Sequence, residues 1–305
     1  MTDSTLPGLI LRAQSGFFTV ETGSGAVVCQ LRGRIKHGPR AGDLAAVGDR
    51  VRVTVLPDGS GVIEEIEPRA RSIVRLDPRP QGVYQQILLA NVDQAVFVFA
   101  CAHPNPKLRM LDRFLVIAEK QKIPPIIVAN KIDMAGDPAK IFGLYETIGY
   151  RVIYASAKTG AGVDKLRAAL TGAASPVSAL AGPSGAGKSS LLNAIQPGLG
   201  LRVSEVSQAV NKGRHTTVAR QLIPLAGGGY VADTPGWKSL ALWDTEPEEM
   251  DAYFPELAPL VAQCQFSDCT HTHEPGCAVQ AALREGKIHA ERYESCLWLR
   301  AGEAG

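Results

Sequence analysis

Aromatic residues make up only 6% of this 305-residue chain, and long apolar runs are missing. The longest, from Ile87 to Ala102, is interrupted by Asp93, whereas a membrane-spanning helix needs roughly 18 or more apolar residues. The N-terminus MTDSTLPGLI has no basic start followed by an apolar stretch, so it does not resemble a signal peptide. We therefore expect a cytoplasmic protein with no membrane partner, whose six cysteines are thiols or metal ligands.

The net charge of +2 hides an uneven distribution. Residues 1–240 carry 28 basic and 18 acidic side chains, whereas residues 241–305 carry 4 and 12. This asymmetry favours a polyanionic partner for the larger, basic part.

A hydrophobic content of 45% suffices for two or three domains with their own cores, which excludes a disordered or collagen-like chain.

The first 70 residues predict a small β-barrel. Polar or Gly-rich turns separate five short alternating segments, LILRAQ, FFTVE, AVVCQLRG, DRVRVTVL and GVIEEIE, as in barrels of the OB or SH3 type. Between Arg32 and Arg52 six basic side chains face only two acidic ones. A solvated surface loop explains such a run, but on a barrel it also suits RNA. The RNA-binding candidates are Arg32, Arg34, Lys36 and Arg40.

Residues 71–240 predict an α/β domain. A Pro- and Arg-rich connector over residues 67–82 leads into strands that alternate with helices. The strands are predicted over residues 95–101, 124–130, 151–156 and 177–182, and the helices over 107–121, 138–149, 163–170 and 188–195. Short connections between them indicate a parallel-rich sheet with helices on both faces. Residues 241–305 form a third, helical and acidic domain.

The segment GPSGAGKS matches the P-loop pattern and lies between a strand and a helix, as phosphate binding requires. Its glycines let backbone N–H groups point at the phosphates, at the positive end of the helix. Lys188 is expected to reach the β- and γ-phosphates, and the Ser189 hydroxyl to bind Mg²⁺. The predicted phosphate-binding residues are Gly182, Pro183, Ser184, Gly185, Ala186, Gly187, Lys188, Ser189 and Ser190.

Two further motifs predict that the bound nucleotide carries guanine as its base. NKID, with Asn130, Lys131 and Asp133, follows the strand PPIIVA, so it lies where ligands bind in parallel sheets. The Asp133 carboxylate can accept hydrogen bonds from the ring N–H and amine of guanine, whereas a buried Asp133 would be left unpaired against adenine. We expect Asn130 to tie this loop to the P-loop. SAK, comprising Ser156, Ala157 and Lys158, ends the next strand and offers a backbone N–H to the guanine oxygen.

Residues that respond to the γ-phosphate are expected further along the chain. In DTPG, Asp233 suits a contact to Mg²⁺ and the Gly236 amide suits the γ-phosphate. Upstream, GRHTTV holds Thr216 and Thr217, either of which can supply a second oxygen to Mg²⁺. Residues 197–215 are typical of a switch loop, although a surface turn with stray threonines explains them equally without the other motifs.

The order of these motifs predicts a circularly permuted GTPase domain, because the guanine-reading motifs precede the P-loop instead of following it. In this order the chain resembles the bacterial ribosome small-subunit-dependent GTPases along essentially its whole length. The resemblance implies an OB barrel, a permuted G domain and a C-terminal zinc domain. It also implies a role late in assembly of the small (30S) subunit. The family's GRHTTT stands here as GRHTTV, so both threonines remain candidates.

The C-terminal domain carries a zinc-ligand pattern of its own. Cys264, Cys269, His271 and Cys277 offer three thiolates and an imidazole, enough for one closed, structural Zn²⁺ site. On spacing alone His273 can replace His271, and the family resemblance favours His271. Cys29, Cys101 and Cys296 lie in apolar contexts and are expected in the core.

Trp237 follows DTPG at a position where many GTPases place a glutamine that orients water, so unaided GTP hydrolysis should be slow. The resemblance assigns that role to His215, so the predicted catalytic residues are His215 and Lys188. A solvated loop histidine is the plain alternative for His215. We expect a monomeric GTP hydrolase whose turnover is stimulated by the small subunit, with 16S rRNA and ribosomal proteins as partners, and whose release follows hydrolysis. A nucleotide-dependent RNA-binding scaffold is the alternative, whereas NKID and SAK argue against an ATP-dependent kinase.

Overall fold

The structure is a computed structural model that describes residues 5–36, 43–79, 82–201, 221–233 and 245–302. This part of the chain forms an N-terminal barrel, a layered α/β unit and a C-terminal helical unit. The predicted fold class is therefore confirmed. Among the described helices, none combines the length and apolar character that crossing a membrane requires.

Five strands close into the barrel in the order β1-β2-β3-β5-β4. Alternate side chains fill its interior, where Ile10, Val20, Cys29, Val53 and Ile63 are fully buried. The third and fifth strands pair in parallel, and the other neighbouring strands pair antiparallel. The strands are β1 Leu6–Gln14, β2 Phe17–Thr22, β3 Gly25–Leu31, β4 Arg50–Val55 and β5 Gly61–Ile66.

The prediction of a connector over residues 67–82 is wrong in part, because half of this segment is a strand. β6 (Ser72–Arg79) and β7 (Gly82–Ala90) pair antiparallel as a two-stranded ribbon between the barrel and the α/β unit. A proline is tolerated at Pro78, opposite Val83, because an edge strand needs no ladder hydrogen bond on its outer side. Proline and arginine content thus concealed the ribbon from sequence analysis.

The central sheet of the α/β unit has the strand order β10-β9-β8-β11-β13-β12 over the described residues. Neighbouring strands run parallel except β12 and β13, which form an antiparallel hairpin at one edge. The strands are β8 Gln94–Ala100, β9 Pro125–Asn130, β10 Arg151–Ala155, β11 Val177–Ala181, β12 Leu222–Pro224 and β13 Tyr230–Asp233.

Helices cover both faces of this sheet, because buried side chains of its central strands alternate between them. Phe97 and Phe99 of β8 face the side of α1 and α2, whereas Val96 and Val98 face the side of α3 and α4. The four helices are α1 Leu108–Lys120, α2 Ala139–Ile148, α3 Val163–Leu170 and α4 Lys188–Ile195. The sheet is therefore buried on both sides, as its apolar strands predict.

The C-terminal unit packs against α1. Its core around Phe254, Leu257 and Leu299 includes Val116 of that helix. The unit comprises a 3-10 helix at Pro247–Tyr253, α5 Ala258–Val261, α6 Ala278–Arg284 and α7 Ala290–Arg300.

A buried ionic cluster fastens this unit to the α/β unit. The Arg292 guanidinium of α7 donates to Asp112 of α1 and to Glu256, each at 2.6 Å. The Tyr145 hydroxyl of α2 donates to the same Asp112 carboxylate at 2.7 Å, and Arg292 lies 4.4 Å over the ring of Phe254. Because both charged ends are almost fully buried, each depends on the other for compensation.

Candidate nucleotide-binding edge and metal cluster

The predicted nucleotide-binding motifs meet at one edge of the central sheet. The parallel register aligns the last residues of β8, β9 and β10, and β11 lies between β8 and β13. NKID follows β9, SAK follows β10, the P-loop follows β11 and Asp233 ends β13. The carboxyl ends of parallel strands open into a shared crevice, so motifs about 100 residues apart in sequence face a common space.

The P-loop geometry requires its glycines. Gly182 has a φ of +151°, and a Cβ there would lie 2.1 Å from the Val98 carbonyl oxygen. Gly187 has a φ of +93°, and its Cβ would lie 2.3 Å from the Asn130 side chain. The Lys188 ammonium bends back over the loop and donates to the Gly182 carbonyl at 2.9 Å. The lysine charge is therefore held above the loop in which phosphates are expected.

The NKID loop, predicted to read guanine, contacts both the P-loop and the SAK loop. Asn130 is buried and donates through Nδ2 to the Ala186 carbonyl at 2.7 Å, the link that sequence analysis anticipated. Its Oδ1 is buried and has no hydrogen-bond partner among the described residues. Lys131 adopts a left-handed conformation with a φ of +63°, and its ammonium donates to the His103 carbonyl. This contact brings the loop after β8 into the site, a loop that sequence analysis missed.

The Asp133 carboxylate is oriented by a neighbour. The Ser156 hydroxyl, fully buried at the end of β10, donates to Asp133 Oδ1 at 2.6 Å. Asp133 itself is exposed. The reason is its place in a 3-10 turn, Ile132–Met134, beyond the rim of the sheet.

Cys101 lies directly after β8, beside these loops. Its backbone N–H donates to the Asn130 carbonyl at 2.8 Å, and its side chain is buried as predicted. Burial, with a smaller contribution from the nearby Asp133 charge, raises the pKa of the Cys101 thiol to about 11. The thiol is therefore neutral near pH 7 and acts as an apolar wall. Cys29 and Cys296 are likewise buried.

Among the remaining predicted P-loop and SAK residues, Ser189 is buried at the start of α4, whereas Ser184, Gly185 and Lys158 are exposed. Ala157, Pro183 and Ser190 are half-buried, and Ala186 is buried. His215, Thr216, Thr217, Gly236 and Arg40 lie outside the described residues. For Asp233, Arg34 and Lys36 only the backbone is described.

Of the RNA-binding candidates on the barrel, Arg32 is the one whose side chain is described. It is about half exposed and makes a two-point ion pair with Glu64, with nitrogen–oxygen distances of 2.5 and 2.6 Å. Part of its charge is therefore compensated within the barrel.

Four predicted metal ligands converge in the C-terminal unit, with one ligand atom from each of Cys264, Cys269, His271 and Cys277 within 4.8 Å of the others. Cys277 Sγ lies 3.4 Å from His271 Nδ1 and 4.0 Å from Cys264 Sγ. Around a tetrahedral zinc ion with Zn–S bonds of about 2.3 Å, two sulfurs lie about 3.8 Å apart. The donor set and its spacing therefore fit one tetrahedral metal ion. The exposed His273 lies outside the cluster and instead contacts Thr272.

Asp251 holds the histidine of this cluster in position, a role with no sequence signal. Its buried carboxylate lies 2.9 Å from His271 Nε2, so the imidazole presents Nδ1 to the three sulfurs. This hydrogen bond raises the pKa of His271 to about 9. Although burial raises the pKa of Cys277, hydrogen bonds from the Gln280 amide and His271 hold it below its usual value. Protons must leave such a cluster when a metal enters.

Two family models match adjoining parts of the chain. The model of the RsgA N-terminal domain matches residues 7–63, and that of the RsgA GTPase matches residues 66–243. Among curated proteins, the small ribosomal subunit biogenesis GTPase RsgA of Gemmatimonas aurantiaca is 44% identical over 308 residues, covering 98% of each chain. The protein of that name from Moorella thermoacetica is 44% identical over 293 residues, covering 96% of this chain and 95% of its own.

Solved structures give the same assignment. YjeQ from Thermotoga maritima has a TM-score of 0.77 and 36% identity and covers 98% of both chains. YloQ, described as a circularly permuted GTPase, has a TM-score of 0.74 and 32% identity and covers 98% of this chain and 95% of its own. The similarity therefore extends over the barrel, the sheet and the C-terminal unit together.

Proposed function

The chain belongs to the RsgA family of GTPases, and from this membership we propose that its GTP-bound form binds the maturing small ribosomal subunit and leaves it after hydrolysis. The observation that carries the proposal is the convergence of NKID, SAK, the P-loop and Asp233 at one sheet edge in a permuted chain order. The permutation places the C-terminal unit directly behind the segment that senses the γ-phosphate. The nucleotide state is thereby connected to a unit outside the G domain.

In this proposal, different described residues bind different parts of the nucleotide. The P-loop amides of residues 182–190 hold the phosphates, and the Lys188 ammonium compensates their charge. Asp133, held by Ser156, accepts from the guanine edge, while the stem of Lys131 covers the base. Amides of Ala157 and Lys158 donate to the guanine oxygen. Adenine is rejected because its ring nitrogen, an acceptor, would face the Asp133 carboxylate, and its amine, a donor, would face the Ala157 and Lys158 amides.

GTPases of this kind use Mg²⁺ with GTP, and hard oxygen donors are available for it. We propose that the buried Ser189 hydroxyl, Asp233 and either Thr216 or Thr217 hold this ion, with the Gly236 amide on the γ-phosphate. When bound, Mg²⁺ neutralises phosphate charge that develops during hydrolysis. His215 is proposed to orient the attacking water.

We further propose that the Cys264, Cys269, His271 and Cys277 cluster holds one structural Zn²⁺. Its support is the three-sulfur, one-nitrogen donor set with tetrahedral spacing and the carboxylate behind His271. No ligand position is left for a reacting group, so the ion would stabilise the fold of residues 241–305 without taking part in hydrolysis.

The partners follow from the same proposal. Arg32, Arg34, Lys36 and Arg40 of the barrel are proposed to contact 16S rRNA, and the acidic C-terminal unit to contact ribosomal protein. We propose a monomer acting in the cytoplasm, where small subunits are assembled. The proposed domains are residues 1–70, 71–240 and 241–305.

Cosedimentation with purified small subunits tests whether hydrolysis times the release. The chain is expected to cosediment with a non-hydrolysable GTP analogue and to dissociate with GDP. With GTP, His215→Ala should remain bound longer than wild type, because its stimulated turnover is slow. An RNA-binding scaffold for which hydrolysis is incidental would instead bind and leave normally without turnover, and Lys188→Ala would then behave as wild type.

A further inference from the structure

The hairpin of β12 and β13 links the two segments expected to respond to nucleotide. Gln221 to Asp233 lie between residues 202–220, which hold Thr216 and Thr217, and residues 234–244, which begin with the rest of DTPG. β13 itself spans only Tyr230 to Asp233, about 10 Å from end to end. Whatever holds Tyr230 at one end of this strand therefore helps to set the position of Asp233 at the other.

The barrel holds this hairpin on both of its strands. The backbone of Arg12 in β1 bridges to Gln221, at the edge of the central sheet. The Tyr230 hydroxyl donates to the Glu21 carboxylate of β2 at 2.5 Å in a partly buried contact. Burial and this hydrogen bond raise the pKa of Tyr230 to about 12, so the phenol stays protonated as the donor.

Apolar contacts accompany these polar ones. Leu9, Leu11 and Ala13 of β1 pack against the core cluster that contains Leu222 of β12 and Ala232 of β13. The barrel thus covers the edge strand of the sheet, which would otherwise expose its backbone hydrogen-bonding groups.

A second, firmer attachment lies elsewhere on the barrel. The fully buried Asp49 accepts from Arg69 at 2.7 and 2.8 Å, and the Asn91 amide donates to the Gly48 carbonyl at 3.0 Å. A Cβ at Gly48 would lie 2.2 Å from the Ala90 carbonyl oxygen, so this junction is closely packed. The junction joins the barrel to the end of the ribbon.

Between the two attachments is a cleft of about 560 Å³. Barrel residues Glu21, Arg50 and Glu67 line one side of it, and Ser175 and Tyr230 of the G domain line the other. A small rotation of the barrel about the packed Gly48 junction would therefore change the separation of Glu21 and Tyr230 first. The cleft provides the space for such a rotation.

We propose that Glu21 and Tyr230 are positioning residues through which the barrel sets the strand carrying Asp233, so that a partner seated on the barrel changes GTP turnover. This inference rests on the proposed stimulation by the small subunit. In this inference the Glu21–Tyr230 contact regulates GTP turnover in addition to holding the barrel against the G domain. The barrel is then part of the hydrolysis control as well as an RNA-binding module.

The test compares Tyr230→Phe with Tyr154→Phe. Tyr154 makes the same kind of bond, from its hydroxyl to Glu146 at 2.7 Å, but on the far edge strand β10. Basal turnover, turnover at saturating small subunits, subunit affinity and the thermal midpoint are measured for each. Tyr230→Phe is expected to lose about fivefold or more of the stimulation, measured as the ratio of stimulated to basal turnover, with a thermal midpoint near wild type. Tyr154→Phe should keep full stimulation, and Glu21→Gln, which retains an acceptor, should keep most of it.

Equal stimulation of Tyr230→Phe and wild type would overturn the inference while leaving the proposed function intact. Parallel falls in the thermal midpoint, the basal rate and the stimulated rate would also overturn it, since they indicate a purely structural bond. If wild type itself shows no stimulation, the proposed function fails, and with it the premise of this inference.

Discussion

The proposed base selectivity depends on Asp133 and on the hydrogen bond that orients its carboxylate. The Ser156 hydroxyl donates to Oδ1, which fixes the plane of the carboxylate at the rim of the site. Two carboxylate oxygens can accept from two adjacent donors of guanine, its ring N–H and its amine. A side chain with one acceptor and one donor would instead fit a base that carries an acceptor in place of the guanine amine.

Asp133→Asn should therefore exchange guanine for xanthine selectivity. Its Oδ1 retains Ser156, and its amide donates to the carbonyl that xanthine carries in place of the guanine amine. We expect GTP affinity to fall by about 100-fold or more, because guanine then faces donor against donor. Competition binding with GTP and xanthosine triphosphate measures this. Unchanged GTP affinity would show that Asp133 does not contact the base.

At the metal cluster, Asp251 orients His271 through one hydrogen bond, as Ser156 orients Asp133. Removing a carboxylate that orients a ligating histidine typically weakens metal binding by about 10- to 100-fold. Asp251→Ala is expected to lose zinc to a chelator at correspondingly lower chelator concentration. Glu249→Ala, an exposed acid on the same 3-10 helix, is the matched control and should retain zinc like wild type. Equal zinc retention in the two variants would exclude an orienting role for Asp251.

Helix bounds are best predicted from the sequence where a glycine marks the boundary. The predicted bounds of α3 and α4 agree with the structure, because left-handed glycines at Gly162 and Gly187 precede them. The ribbon of β6 and β7 was missed, because its prolines and arginines are typical of loops and its pairing is seen only in three dimensions. The Glu21–Tyr230 bond spans 209 residues and carries no motif, so no sequence pattern could predict it.

The docking of α7 on α1 depends on the buried Arg292. Replacing one member of a buried ion pair leaves the other uncompensated, at a cost of about 3–5 kcal/mol. Arg292→Met is expected to lower the free energy of unfolding by about 3 kcal/mol, since Asp112 and Glu256 would keep buried charges. Denaturant unfolding measures this loss. Arg284→Met, which removes an exposed arginine from α6, should change stability little. Equal stability of the two variants would contradict a stabilising Arg292 cluster.

For the whole molecule, the division of charge follows the division into units. The basic residues 1–240 combine the Arg32–Arg52 segment with lysines proposed to contact the nucleotide, such as Lys131 and Lys188. The acidic residues 241–305 surround a cysteine–histidine cluster and pack against α1. The net charge of +2 is thus the sum of two oppositely charged surfaces, only one of which suits RNA.

The barrel and the C-terminal unit are both attached next to segments of the G domain that are expected to respond to nucleotide. The barrel contacts the β12–β13 hairpin, and the C-terminal unit follows the DTPG segment while its Arg292 cluster fastens it to α1. A partner that contacts both units can therefore act on hydrolysis from both sides of the nucleotide-responsive segments. Slow unaided turnover, expected with Trp237 after DTPG, leaves such a partner in control of the rate.

The most direct measurement of this control is the GTP turnover rate of the full chain alone, with purified small subunits and with purified large subunits. We predict an increase of about tenfold or more with small subunits and no increase with large subunits. The same low rate in all three mixtures, or equal stimulation by both subunits, would contradict a GTPase that responds to the small subunit.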